Sequence, residues 1–283
     1  MKTIAMTSPA SFDVSYDINP WMIGNIGQVD RGRAVAQWEA LHAVLEKIGV
    51  QLQILPTPST ANPDAVFTAN AGLAFKNQFI SSRFRYDERA GEEKFFNEYF
   101  ATMGMTVVEP TFNLERFQVS FEGAGDALFN AERTILWFGV GWRSSYSYKP
   151  TLERLFEPLG VRVQPLELIA ERFYHLDTCF CPLDTGELLW YPAAFTENSQ
   201  RMIREHWGTW AHELDREDAL AFAANAVSVG HHIVLPLVSA GLVDRLSAAG
   251  YEVHQVDMSE FLKSGGACKC LTLELVQPLN TGK

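Results

Sequence analysis

Apolar residues recur along this chain with two periods, one after the other. Residues 2–7 read as a short first strand. Val35, Trp38, Leu41, Leu45 and Ile48 then share one face of a 3.6-residue period, which predicts a helix over 34–48 closed by Gly49. Residues 50–55 follow as a strand, and Pro56, Pro58 and Pro63 mark a loop. The same succession predicts a helix over 93–103, closed by Gly104, and a strand over 105–108. It predicts another helix over 152–159, closed by Gly160, and a strand over 161–163. Helices over 202–210 and 235–249 come next, the last closed by Gly250, and a strand over 251–256. Helix, glycine and strand thus recur in that order. No long linker or low-complexity stretch interrupts them, so the chain reads as one α/β domain over residues 1–283.

A coarser repeat underlies the finer one. Five segments open on small or polar residues, run into a short strand, turn, and return as an apolar strand. They are DAVFTANAGLAFKNQFISS from Asp64, FEGAGDALFNAERTILWFG from Phe121, YHLDTCFCPLDTGELLWYP from Tyr174, AANAVSVGHHIVLPL from Ala223 and GGACKCLTLEL from Gly265. With Asn70, Asp126, Asp177, Asn225 and Cys270 as markers, the spacings are 56, 51, 48 and 45 residues, each with room for a hairpin, a helix and a third strand. Five such units closed into a ring predict a propeller-like α/β fold, with polar residues from distant parts of the chain meeting on its axis. Asn, Asp and Gly are ordinary turn-formers at strand starts. Five segments at similar spacing, carrying Asn, Glu, Asp, His and Cys, favour convergence on one site.

Composition narrows the chemistry. The 283 residues carry 23 Lys and Arg against 34 Asp and Glu, a formal charge of −11, which argues against a phosphate-backbone binder. With 47% apolar and 20% charged residues the chain has an ordinary globular composition. Nothing approaches the ~20 consecutive apolar residues of a membrane helix. The start, MKTIAMTSPASFDV, lacks the apolar run of a secretory signal, so the expected compartment is the cytoplasm. The four cysteines, Cys179, Cys181, Cys268 and Cys270, form two C-x-C pairs. One intervening residue suits zinc poorly, since paired ligands are usually two to four residues apart, and on a strand only one cysteine of each pair faces a given side. The remaining readings are buried thiols or a nucleophile among them.

The motifs PDAVFTANAG, FEGAGD, YHLDTCF and GGACKC, in this order, resemble those of the guanidine-modifying enzymes of the pentein superfold. These include arginine deiminases, dimethylarginine dimethylaminohydrolases, amidinotransferases and arginine dihydrolases. The resemblance runs from about Asp17 to Glu274. It implies five pseudosymmetric ββαβ units around a central active site, with no metal and no organic cofactor. It also implies a covalent cysteine mechanism on a small cationic substrate, arginine or a substituted arginine. A homo-oligomer is compatible with it; nucleic-acid and membrane partners are not expected.

Residue by residue, the resemblance makes Cys270 the nucleophile, although Ala267 stands where the family's third glycine usually is. It makes His175 the general acid and base, and Glu122 the carboxylate that holds the guanidinium and orients the histidine. Asp177, two residues after His175, is expected to point the same way along a strand and grip guanidinium nitrogens. Arg89 and Arg143 match positions that hold a substrate α-carboxylate, with Arg83 and Arg85 as competitors for the first. Asn19 in DINPWM is assigned to substrate. His206, His212, His231 and His232 read as surface or capping residues, and Cys179, Cys181 and Cys268 as plain thiols.

Asn70 separates the possible reactions. Arginine deiminases and dimethylarginine hydrolases carry Asp there, whereas the cyanobacterial arginine dihydrolases are more similar to this chain, both at the Asn and in DINPWM. A carboxylate only accepts hydrogen bonds, whereas an amide also donates, so Asn70 can hold the carbonyl of a neutral ureido group. The expectation is arginine dihydrolysis to ornithine, carbon dioxide and two ammonia. The alternatives are one-step hydrolysis to citrulline, amidino transfer to an amine, and a non-catalytic pentein binding module.

Overall fold

The computed structural model describes residues 2–109, 112, 114–116 and 118–276; the expected domain span of 1–283 extends beyond them at both ends. The first unit contributes β1 (Thr3–Thr7), α1 (Arg31–Lys47) and β2 (Gln51–Leu55). The second contributes β3 (Gly72–Phe75), β4 (Gln78–Ser81), α2 (Ala90–Thr102) and β5 (Thr106–Val108). The third has β6 (Ala127–Phe129), β7 (Ile135–Val140), α3 (Lys149–Phe156) and β8 (Arg162–Glu167). The fourth has β9 (Phe180–Pro182), β10 (Leu188–Trp190), α4 (Glu197–Trp207) and β11 (Ala211–Glu213). A short helix α5 (Arg216–Leu220) leads to the fifth, with β12 (Val227–Val229), β13 (His232–Pro236), α6 (Ala240–Ala248) and β14 (Glu252–Val256). Then α7 (Ser259–Leu262) and β15 (Leu273–Glu274) return the chain to the first unit.

Each unit is a three-stranded sheet with the same plan. An antiparallel hairpin supplies two strands, and a helical crossover brings in the third parallel to the second, as a parallel pair requires. The first unit is assembled from both ends of the chain. β15 pairs antiparallel with β1, Ile4 opposite Glu274 and Ala5 opposite Leu273, while β1 runs parallel to β2 from Thr3–Gln51 to Thr7–Leu55. That pairing closes the ring, and the expected fivefold α/β propeller is the observed one. Apolar cores lie between the sheets and the outer helices, with rings in direct contact: Phe79 stacks on Phe100 at 4.1 Å between centroids, and Trp137 lies 4.9 Å from Trp207.

Two expectations on element bounds need correction. The stretch 235–249 is not one helix. Its first residues belong to β13, where Ile233 and Val234 pair with both β12 and β14 and Leu235 pairs with Gln255 of β14. Pro236 ends the strand, and a helix starts only after Ser239, whose Oγ accepts from the Leu242 N–H at 3.1 Å. α1 to α4 also begin three to five residues before the predicted starts. Their first turns hold small or polar residues and are invisible to apolar periodicity; those of α1 and α4 are capped, Asp30 accepting from the Arg33 N–H and Thr196 from that of Ser199. Gly49 and Gly250, just past α1 and α6, have φ of +86° and +93°, the left-handed cap the sequence pattern requires.

A 3₁₀ turn precedes the first strand in the second, third and fourth units, at Thr68–Ala71, Gly123–Gly125 and Leu176–Thr178. These turns pack on one another in sequence around the axis. Just after the first of these turns, Gly72 lets β3 and β4 approach closely. A Cβ there would lie 2.4 Å from the Ile80 carbonyl oxygen and 2.6 Å from the Phe79 ring. Gly72→Ala is therefore expected to cost about 1–3 kcal/mol by overpacking, seen as a lower thermal midpoint in circular dichroism; an unchanged midpoint would mean the hairpin relaxes freely.

Candidate active site

The turns bring Asn70, Glu122, His175, Asp177, Asn225 and Cys270 together, all buried. Glu122 has no solvent exposure. Its Oε2 meets His175 Nε2 at 2.7 Å and accepts from Arg143 Nη1 at 3.1 Å, and its Oε1 accepts the Arg85 backbone N–H at 3.1 Å. Burial alone would raise its pKa. The Arg143 guanidinium and the His175 hydrogen bond overcome that and hold the carboxyl well below the usual carboxylate range. A carboxylate only accepts, so Nε2 of His175 carries a proton and Nδ1 is left as the basic nitrogen. Burial pushes His175 down to about 4, against the pull of Glu122. In the free site it is a neutral imidazole.

The Glu122 turn is fixed from behind by Asp126. Its Oδ2 accepts from Ser144 Oγ at 2.6 Å, which in turn accepts the Glu122 N–H at 2.9 Å, and its Oδ1 accepts the N–H of Leu176, next to His175, at 3.0 Å. Close packing beside Glu122 is enforced by glycine: a Cβ on Gly125 would sit 2.3 Å from Asn70 Nδ2.

Cys270 lies in the turn before β15. Its Sγ is 3.4 Å from Asp177 Oδ2 and accepts from Asn225 Nδ2 at 3.1 Å. Asn225 also holds the backbone of this loop. Its Oδ1 accepts the N–H groups of Ala267, Lys269 and Cys270 at 3.2, 3.0 and 3.1 Å, and its Nδ2 donates to the Asp177 carbonyl at 3.0 Å. Burial, and next the Asp177 carboxylate, push the Cys270 thiol well up. Burial pushes Asp177 up to about 7, against Lys269 and the hydrogen bonds from Cys270 and Asn225.

Of the residues singled out in the sequence, Asn19, Asn70, Arg89, Arg143 and Cys270 line one narrow pocket, together with Asp64, Tyr174 and Gly265. Glu122, His175 and Asp177 lie buried against that lining. One directional expectation is wrong. His175 and Asp177 do not share a strand face, because Leu176–Thr178 is a 3₁₀ turn held by Thr178 Oγ1 donating to the His175 carbonyl at 2.7 Å. The turn aims His175 at Glu122 and Asp177 at Cys270. Cys268 and Cys270 likewise occupy a turn, not a strand, and all four cysteines are free thiols.

The two arginines differ. Arg89 is spoken for: Nε and Nη2 grip both oxygens of Glu92 at 2.8 and 2.7 Å, Nη2 also reaches the Asp64 carbonyl at 3.1 Å, and Nη1 donates to Asn70 Oδ1 at 2.9 Å. Arg143 lies between the rings of Tyr86 and Tyr174, 4.8 and 4.6 Å from their centroids, and also donates to the Ile18 carbonyl at 2.9 Å. Arg83 is turned away onto the Val119 and Leu114 carbonyls. Asn19 donates to the Ser264 carbonyl at 3.1 Å, which fixes it on the pocket wall. Sequence reasoning gave no site role to Asn225 or Asp64. Asn225 was visible as a repeat marker. Asp64 opened a repeat segment; its carboxylate accepts from Tyr16 and Ser264 at 2.9 and 3.0 Å.

Residues 20–277 match the family described as N,N dimethylarginine dimethylhydrolase, eukaryotic. Over 277 residues the chain is 45% identical to the bifunctional arginine dihydrolase/ornithine cyclodeaminase ArgZ of Synechocystis, covering 98% of this chain but 38% of that protein. It is 38% identical over 271 residues to the N(G),N(G)-dimethylarginine dimethylaminohydrolase of Mycobacterium tuberculosis, covering 96% of this chain and 85% of that one. A crystal structure of the N-terminal domain of ArgZ, covalently bound to a reaction intermediate, superimposes with a TM-score of 0.93 at 42% identity, covering 99% of this chain and 100% of that one. The chain thus spans about two fifths of the bifunctional relatives it matches. The chain belongs to the dimethylarginine dimethylaminohydrolase-like family of the pentein superfold.

The charge next to Cys270 yields a direct test. Asp177→Asn removes the carboxylate that disfavours the thiolate, so the pH midpoint for alkylation of Cys270 by iodoacetamide should fall by about 1 unit or more. Peptide mass mapping at several pH values reads it; a midpoint that stays or rises contradicts the assignment.

Proposed function

We propose that the protein is an arginine dihydrolase, converting arginine and two waters to ornithine, carbon dioxide and two ammonia. The observation that carries this reading is the orientation of Asn70. Arg89 can only donate, so Asn70 Oδ1 faces Arg89, and Nδ2 is the end left for the reaction centre, 3.5 Å from the Glu122 carbonyl. An amide donor there suits a ureido oxygen, whereas an aspartate would pair with Arg89 and offer only acceptors.

In this reading the guanidinium lies between the carboxylates of Glu122 and Asp177, which match its fork of N–H donors. Arg143 takes the α-carboxylate and Asp64 the α-ammonium, while Arg89 serves the site through Asn70 and Asn19 completes the wall. The arriving cation offsets the burial that keeps Asp177 and Cys270 protonated, so the thiol can ionise. Cys270 Sγ bonds to the guanidinium carbon, the thiol proton passes to one nitrogen, and ammonia leaves, giving a thiouronium. Water attacks the same carbon, His175 Nδ1 takes its proton, and the C–S bond breaks, giving bound citrulline. Asn70 holds the ureido oxygen. A second attack by Cys270 expels the second ammonia, with the proton supplied by His175. Hydrolysis of the resulting S-carbamoyl group yields a carbamate that loses carbon dioxide to give ornithine. The chain itself supplies the nucleophile, acid and base, so neither a metal nor an organic cofactor enters these steps. The four free thiols fit the proposed cytoplasmic location.

Incubation of the purified chain with arginine, methylated arginines, citrulline and agmatine, with products identified by mass, tests the reading. Ornithine from arginine is expected; citrulline as the sole product would make the chain a one-step hydrolase. Asn70→Asp should shift the product from ornithine towards citrulline, and an unchanged ornithine yield would remove Asn70 from the mechanism.

A further inference from the structure

We infer that His232, Glu252 and His254 form a binding site for a divalent transition metal of the zinc type on the fifth unit, separate from the pocket of Cys270. The parallel register of β13 and β14 sets His232 opposite Glu252 and Val234 opposite His254. Residues two apart on a strand share a face, so all three side chains emerge on one side of the sheet. His232 Nδ1 and His254 Nε2 are 3.2 Å apart, and they lie 3.4 Å from Oε2 and from Oε1 of Glu252 respectively. Among the described residues this is the one group of three His, Cys, Asp or Glu side chains whose donor atoms all come within 4.8 Å of one another.

The spacing fits a shared cation better than direct pairing. Ligands held tetrahedrally at ~2.0–2.1 Å from one ion are about 3.3 Å from each other. Charge-assisted hydrogen bonds are shorter, about 2.7–2.9 Å. Two imidazoles and a carboxylate suit zinc, with copper(II), nickel and cobalt as competitors, and leave one position to water. Glu252 is 64% exposed and His254 13%, so an ion can reach the site while one ligand stays anchored. The Lys47 ammonium acts on His254 and opposes a cation, and the Glu252 charge offsets it. A bound ion would tie β13 to β14, the parallel pair spanned by α6. Nothing in the hydrophobic pattern marks this cluster, since its three members look like surface residues one at a time.

The test is zinc titration by calorimetry on the full chain, free of any affinity tag, in a Cys270→Ser background so that the pocket thiol adds no second site. One equivalent should bind, and the melting temperature should rise by roughly 5 °C at about a hundredfold excess over Kd. The His232→Ala/His254→Ala variant should lose both effects, and His212→Ala, whose histidine pairs with Glu187, should keep them. Should the double variant fail to fold, the exposed Glu252→Gln variant makes the same comparison. Zinc binding that survives these substitutions, or no binding by the parent at micromolar zinc, would overturn the assignment.

Discussion

A carboxylate with no access to water, Glu122, stands on the axis of the ring, and much of the molecule is arranged so that it stays ionised. A buried charge is tolerated only when paired and hydrogen-bonded. Arg143 and His175 supply the pairing, and the Arg85 backbone supplies a further donor. These partners come from separate turns and loops, so they meet only once the hairpins that carry them are packed side by side. Closure of the ring by β15 on β1 then brings in the last participant, Cys270. The Ala69 N–H donates to the Cys270 carbonyl at 3.0 Å and ties that turn to the one bearing Asn70.

The site has two electrostatic halves. Around Glu122 positive charge is present already. Around Cys270 it is sparse: Asp177 and the thiol share a buried corner where Lys269 is the cation that opposes the burial of Asp177, and burial pushes both groups up, Asp177 to about 7. In the proposed function the second half is completed by the substrate: a guanidinium would satisfy both carboxylates at once and make the thiolate accessible, so that substrate binding and nucleophile activation would be one event. This also explains why the overall charge of −11 says little about catalysis. The two carboxylates that matter are buried, and their surroundings, not the surface total, set their ionisation.

Much of this was legible in the chain. The five units, the convergence of Asn70, Glu122, Asp177 and Cys270, and the close packing beside Glu122 all follow from repeat spacing, motif order and small residues. What escaped shares a physical cause: it depends on turn geometry or on partners far away in sequence. Asp177 turned towards Cys270 because 3₁₀ hydrogen bonds replaced the expected strand. Asn225 was a repeat marker, yet its three accepted N–H groups lie more than forty residues on, at 267–270. Asp126 and Ser144 orient Glu122 through its backbone, which no motif records. The stretch 235–249 misled because Leu235 is apolar in either setting, and only Pro236 and the Ser239 cap decide between strand and helix.

The central claim is that citrulline stays bound between two attacks by the same thiol. Arginine labelled with carbon-13 at the guanidinium carbon, turned over in a large excess of unlabelled citrulline, tests it by the isotope content of the carbon dioxide released in the first turnovers. Retention predicts carbon dioxide that is almost fully labelled, undiluted by the free pool, and little labelled citrulline in solution. Carbon dioxide diluted to the isotope ratio of the pool, with labelled citrulline accumulating, would contradict the account.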